Sequence, residues 1–159
     1  AINELDDTNI IFTKTNSDLN GKVINKMIDK YTSENPKKSV GFISLGQLRY
    51  LSALQYVDAV VGNSSSGLLE APSFKIGTIN IGDRQKGRIK ASSVIDCEPK
   101  KNSISTALTE LYSTKFLKTL KISINPYGDG HSSQKIINKI KKINLKTILK
   151  KSFYDLKLI

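Results

Sequence analysis

The chain contains one cysteine, one histidine, one methionine, four prolines and no tryptophan in 159 residues. A single cysteine, Cys97, excludes an internal disulfide and fits a reducing compartment, so a cytoplasmic setting is expected. Cys97 closes the run Ser93-Val-Ile-Asp-Cys97, which reads as a strand, and there it reads as a small packed residue rather than a reactive thiol. No apolar run approaches the ~20 residues that span a membrane. The N-terminus has neither the basic region nor the apolar core of a signal peptide. It also lacks an initiator methionine, so an excised piece of a longer protein is expected. Acids are scarce: 25 lysines and arginines face 14 acids, for a formal charge of +11. The excess is concentrated between Lys115 and Lys157, where 11 lysines face only Asp129 and Asp155. These lysines alternate with Ile136, Ile137, Ile140, Ile143, Ile148 and Leu149. No arginine, the residue suited to bidentate phosphate contacts, lies among them. The stretch therefore reads as a solvated helical face, and nucleic acid and membrane are not expected partners.

What is present is a regular alternation of short apolar runs and longer amphipathic segments. Asn9–Thr13, Val40–Ser44, Ala59–Val61, Thr78–Ile81 and Val94–Cys97 read as strands. Leu19–Glu34, Gln47–Tyr56, Gly67–Phe74, Asn102–Tyr112, a segment from His131 or Ser132 to Ile143, and Leu145–Lys151 read as helices. In the second of these, Leu48, Leu51, Leu54 and Tyr56 are the apolar residues. The alternation predicts an α/β fold: a Rossmann-like parallel sheet with helices on both faces. Right-handed crossovers bring the loops after Thr13, Ser44, Val61 and Ile81 to one edge, where such sheets bind ligands. Asn16, Ser64, Ser65, Ser66 and Arg84 all fall in those loops.

Two segments carry the chemistry. In Val60-Val-Gly-Asn-Ser-Ser-Ser-Gly-Leu-Leu-Glu-Ala-Pro72 an apolar strand runs into three hydroxyls and a helix start. Such a start offers backbone N–H groups and partial positive charge to a phosphate. Glu70, a turn further on, is placed to accept hydrogen bonds from a sugar diol. In Ile79-Asn-Ile-Gly-Asp-Arg-Gln-Lys-Gly-Arg88 a strand ends in a basic loop, and Arg84 is a permanent cation with a fork suited to oxyanions. Together they suggest a nucleotide diphosphate. His131 follows the turn Tyr127-Gly-Asp-Gly130 and reads as a helix-start residue.

With Asn125-Pro-Tyr-Gly-Asp-Gly130, these segments resemble, in order, the C-terminal half of the UDP-N-acetylglucosamine 2-epimerases. The resemblance runs from about Ile10 to the C-terminus. It is strongest to the hydrolysing branch, which supplies N-acetylmannosamine for sialic acid synthesis. The non-hydrolysing branch carries Thr-Asp-Ser-Gly-Gly and Thr-Glu-Arg-Pro-Glu type segments instead.

The resemblance implies a two-domain GT-B enzyme of which residues 1–159 form the C-terminal UDP-binding domain, with 131–159 as its C-terminal helices. It places diphosphate contacts at Ser65 and Ser66, within the turn Asn63, Ser64 and Gly67, and a ribose contact at Glu70. Arg84 faces the nucleotide sugar and stabilises the leaving group. Arg88 is a second-rank candidate. Asn16 contacts the ligand, and Ser44 and Leu45, beside Ile43, line the uracil pocket partly through backbone atoms. The groups that abstract the proton belong to the missing N-terminal domain, so this chain alone is expected to be inactive. UDP, UDP-N-acetylglucosamine, that domain and, at full length, further copies of the same protein are the expected partners. No metal or cofactor is expected. The alternatives are an epimerase for a modified sugar such as a diacetamido-bacillosamine nucleotide on the legionaminic acid route, a GT-B glycosyltransferase, and a basic nucleic-acid-binding module.

Overall fold

A computed structural model of the chain describes residues 1–15 and 21–145. Two compact units divide it, Ala1–Pro126 and Tyr127–Ile159. In the first, five short strands are all paired parallel: β1 (Ile10–Thr13), β2 (Ser39–Phe42), β3 (Ala59–Gly62), β4 (Gly77–Ile81) and β5 (Val94–Cys97). They form two ladders, β1–β2 and β3–β4–β5. The helices are α1 (described over Gly21–Glu34), α2 (Gly46–Ala53), α3 (Ser66–Leu69), α4 (Lys101–Leu111) and α5 (Thr114–Ile122). The second unit contains α6 (Ser132–Lys142), with His131 at its N-cap. The helix expected over Leu145–Lys151 lies outside the described residues beyond its first position. Among the described residues no helix is long and apolar enough to cross a membrane.

β4 is the central strand, and side-chain alternation assigns each of its faces to different helices. A Cβ on Gly77 would collide with Leu111 and Phe116, so Gly77 and Ile79 face α4 and α5. There Ile79, Ile95, Ala107, Leu108, Leu111, Phe116 and Leu120 form the main core. Thr78 and Asn80 face the other way, and Thr78 meets α3. A second cluster on that side joins Leu54 beyond α2, Ala71 and Ile76, with Tyr50, Leu51 and Val60 packed against it. Helices therefore cover both faces of the sheet. On β1–β2, Gly41 leaves room for Ile28 and Thr32 of α1, and Phe12 meets Tyr31 edge-on at 5.5 Å between ring centroids.

Several expectations change in detail. The helix expected over Gly67–Phe74 is α3 followed by a separate 3₁₀ turn, Ala71–Phe74. Pro72 is the cause: it has no N–H for the Leu68 carbonyl, and its ring crowds that carbonyl. In α2 the buried stripe is Tyr50, Leu51 and Leu54, whereas Leu48 and Tyr56 are 81% and 88% exposed. The sequence reading also omitted α5. Ser113 caps it by accepting a hydrogen bond from the Phe116 N–H at 3.2 Å, and Phe116 and Leu120 bury its inner face.

α3 lies flush against β4. A Cβ at Gly67 would come within 2.5 Å of Thr78 Cγ2, while Thr78 Oγ1 donates to the Gly67 carbonyl at 2.8 Å. Gly67→Ala is expected to destabilise the fold by about 1–3 kcal/mol through overpacking. Thr78→Ser, which removes only the colliding methyl, should recover most of that loss. Chemical denaturation of the single and double variants measures both effects, and additive losses would contradict the packing argument.

Candidate functional site

Strand ends and the loops that follow them enclose a cleft of about 1030 Å³. Thr13, Lys14 and Thr15 supply one wall from the end of β1, with Gly21, Ile24 and Ile28 of α1 beside them. Ile43, Ser44 and Leu45 contribute the β2–α2 loop, and Gly46, Gln47 and Tyr50 contribute α2 itself. Val60 to Ser64, Ser66, Glu70, Ile81 and Arg84 complete it from β3, α3 and the end of β4. Gly46 and Gly82 take positive φ, +64° and +79°. Gly82 turns the chain directly after β4, and Gly46 turns it four residues after β2, where α2 begins.

Of the residues singled out in the sequence, Ser44, Leu45, Asn63, Ser64, Ser66, Glu70 and Arg84 line this one cleft. Ser65 and Gly67 are not among its lining residues. Ser65 is half-buried, and its carbonyl accepts from the Leu68 and Leu69 N–H groups at 3.0 and 2.9 Å. Gly67 is buried against Thr78, where its lack of a side chain permits the packing. Asn16 lies outside the described residues. Arg88 is exposed, and its N–H bonds the Gln85 carbonyl at 3.3 Å.

The expected helix N-terminus is also modified. α3 is a single turn, too short for a strong macrodipole. The Gly67, Leu68 and Leu69 N–H groups are taken up by the Ser64 and Ser65 carbonyls. Side-chain donors on the cleft wall include the Ser64 and Ser66 hydroxyls and the Arg84 guanidinium. Lys14, the other cation on the wall, is held by Asp29 at 2.6 Å. Glu70 is the wall's carboxylate, at the junction of α3 and the 3₁₀ turn.

Two residues missed in the sequence organise these groups. Tyr50 Oη and Ser66 Oγ are 2.6 Å apart, and Ser64 Oγ reaches Ser66 Oγ at 3.5 Å, giving a row of hydroxyls along the cleft. Burial raises the Tyr50 pKa above its ordinary value. The Ser66 bond opposes that shift and the negative charge of Glu70 adds to it, so the phenol keeps its proton at neutral pH. Gln85, beside Arg84, is buried and donates from Nε2 to the Asn63 carbonyl at 2.7 Å. Tyr50 had a signal: it stands one residue before Leu51 and four before Leu54, on the buried stripe. Gln85 had none, because a glutamine in a basic loop reads as solvated.

The basic loop is fixed at its far end as well. Lys90 Nζ bonds both carboxylate oxygens of Asp96, at 2.8 and 2.7 Å, and Asn80 Nδ2 bonds Asp96 Oδ1 at 2.7 Å. Burial pushes the Asp96 pKa up, but the Lys90 and Asn80 hydrogen bonds and the Lys90 charge outweigh it and hold the carboxyl below its ordinary 3.8. Asn125 is similarly employed, its Nδ2 donating to the Leu69 carbonyl at 2.8 Å and to Ser73 Oγ at 2.7 Å behind α3. In the second unit, the turn before α6 is closed by Asp129, whose Oδ1 accepts from the His131 N–H at 3.1 Å and from Lys135 at 3.3 Å.

Parallel strands, helices on both faces and a polar cleft at the strands' carboxyl ends define a Rossmann-like α/β domain. Residues 1–141 match the family model for UDP-N-acetylglucosamine 2-epimerase, and the chain belongs to that family. It is 44% identical to the GDP/UDP-N,N'-diacetylbacillosamine 2-epimerase (hydrolyzing) of Campylobacter jejuni, over 98% of this chain and 40% of that protein. It is 37% identical to the polysialic acid biosynthesis protein P7 of Escherichia coli, over 92% of this chain and 37% of that protein. The chain thus spans about two fifths of the length of these relatives. Its fold is shared with a crystal structure from Listeria monocytogenes titled as a putative UDP-N-acetylglucosamine 2-epimerase. That match has a TM-score of 0.68 at 15% identity and covers 99% of this chain and 41% of that one.

The depressed Asp96 pKa has a pH consequence. The carboxylate's contribution to stability is complete above its unfolded pKa and disappears as pH falls through the lower folded value. The pair is partly exposed, so Asp96→Asn is expected to cost no more than about 1 kcal/mol at neutral pH. The variant should also lose part of the acid-side decline in stability seen in the parent chain. Denaturation midpoints between pH 7 and pH 2 test this, and parallel curves for parent and variant would contradict it.

Proposed function

We propose that this chain is the C-terminal, uridine-diphosphate-binding domain of a hydrolysing UDP-sugar 2-epimerase, spanning residues 1–159. One observation carries the reading. Ser64, Ser66, Glu70 and Arg84, drawn from two loops and a one-turn helix, line a single cleft with Ser44 and Leu45. Hydroxyls and a guanidinium suit a diphosphate, and Glu70 suits the ribose diol. The loop of Ser44 and Leu45 suits the base. Asn63, Ser65 and Gly67 shape the turn, and Asn16 is a further proposed contact.

In the whole enzyme the sugar loses its C2 proton and the C1–O bond breaks, with UDP leaving on the bonding electron pair. Water then adds across the C1–C2 double bond and releases the free 2-epimerised sugar. The task of this domain is to stabilise the charge that grows on the diphosphate, and a guanidinium fixed beforehand does so with little reorganisation. A second domain supplies the proton-abstracting group, and the assembled enzyme works in the cytoplasm as a homo-oligomer.

The primary substrate reading is UDP-N-acetylglucosamine, with N-acetylmannosamine as product. The 44% identity to a relative named for diacetylbacillosamine supports a second reading, UDP-N,N'-diacetylbacillosamine. Full-length enzyme offered each nucleotide sugar, with products identified by ¹H NMR, separates the two. A glycosyltransferase would instead release no free epimerised sugar.

For the chain itself, calorimetric titration is expected to show saturable UDP binding. Arg84→Ala should weaken UDP about 10- to 100-fold, the loss expected for charged hydrogen bonds, and leave uridine nearly unaffected. Glu70→Ala should weaken uridine and UDP alike. A folded chain that binds no UDP at millimolar concentration would refute the assignment.

A further inference from the structure

Gln85 sits in the most basic loop of the domain, yet only 3% of it is exposed. Its Nε2 donates to the Asn63 carbonyl at 2.7 Å, across 22 residues of sequence. Its Oε1 is buried without a hydrogen-bonding partner. A buried amide with an unpaired oxygen is unfavourable to keep, and an apolar side chain of similar size would pack without that desolvation loss. What Gln85 provides is its N–H.

The acceptor it selects is informative. Asn63 opens the turn that carries Ser64 and Ser66, whereas Gln85 is bonded covalently to Arg84. One hydrogen bond therefore joins the hydroxyl turn after β3 to the guanidinium loop after β4. The strands beneath are already in register, with Gly62 opposite Asn80, but both loops leave them through glycines, Gly62 and Gly82, at φ +148° and +79°. Beyond those glycines, the Gln85–Asn63 hydrogen bond links the two loops directly. Lys90 and Asp96 secure the far end of the same loop, so Arg84 is presented from a segment fixed on both sides.

We infer that Gln85 is a positioning residue that holds Arg84 and the Ser64–Ser66 turn at the separation a diphosphate requires, without itself touching the ligand. The inference rests on the UDP-binding reading above. It requires that Gln85 and Arg84 act as a unit on the phosphates and that the nucleoside end be indifferent to both.

The test is a double-mutant cycle on the whole chain, with UDP and uridine titrated separately and thermal midpoints recorded. Gln85→Leu should weaken UDP about 10-fold and uridine less than about 2-fold. In an Arg84→Ala background the same substitution should change UDP affinity less than about 3-fold, because the group it positions is gone. Gln85→Glu keeps the size and replaces the donor with an oxygen facing a carbonyl. It should reproduce the UDP-selective loss, and it serves in place of the leucine variant if that fails to fold. Equal losses for UDP and uridine, strictly additive losses in the cycle, or unchanged UDP affinity in both Gln85 variants would overturn the inference while leaving UDP binding intact. A folded parent chain that does not bind UDP would overturn the functional reading and this inference with it.

Discussion

The one-turn helix after β3 reaches β4 only because residue 67 has no side chain. Thr78 fills the space that a Cβ would claim, and its hydroxyl occupies the Gly67 carbonyl, one of those a four-residue helix leaves without an internal partner. This contact sets the height of α3 above the sheet, and with it the places of Ser66 beside Tyr50 and of Asn63 beside Gln85. Glu70 enters the cleft from the same turn. A wider gap between α3 and β4 would separate each of these pairs, since hydrogen bonds of 2.6 to 2.8 Å tolerate displacements of only a few tenths of an ångström.

Charge is distributed in keeping with this arrangement. Lys14 is tied to Asp29, and Lys90 to Asp96. Among the described residues Arg84 forms no ion pair with a carboxylate. Tyr50 keeps its proton and adds a neutral hydroxyl rather than a second negative charge beside Glu70. Among the described residues the cleft therefore combines a cation without an ion pair, one carboxylate and a row of neutral hydroxyls. Under the proposed function, that set would discriminate between the two ends of a nucleotide better than a uniformly basic surface, because each end would meet a different kind of group.

The sequence made the five strands and the cleft edge legible because both follow from alternation. Short apolar runs separated by amphipathic segments have few parallel arrangements, and handedness then fixes where the loops gather. Finer features were not legible, for identifiable reasons. Pro72 breaks the helix after β3, but a proline seven residues past the serine N-cap is also compatible with a simple helix end. Ser113, Phe116 and Leu120 do carry the signature of α5, which was obscured by the lysines interleaved with them. The apolar residues Leu48, Leu51, Leu54 and Tyr56 fit more than one helical stripe, and only packing against Ala71 and Ile76 selects Tyr50, Leu51 and Leu54. The roles of Gln85 and Asn125 depend on carbonyl groups 22 and 56 residues away, and no local pattern encodes such partners.

The alternation within β4 has a consequence for folding fidelity. Gly77 and Ile79 belong to the apolar side, and Thr78 and Asn80 to the side of α3. A slip of one residue would press Ile79 onto the Gly67 backbone and drive the Thr78 hydroxyl and the Asn80 amide among Leu108, Leu111 and Phe116. Many buried parallel strands are apolar on both faces and give little penalty for such an error. This one is chemically two-sided, so a misaligned central strand would be rejected at once, and the correct pairing with β3 and β5 is proofread by the side chains that later support the cleft.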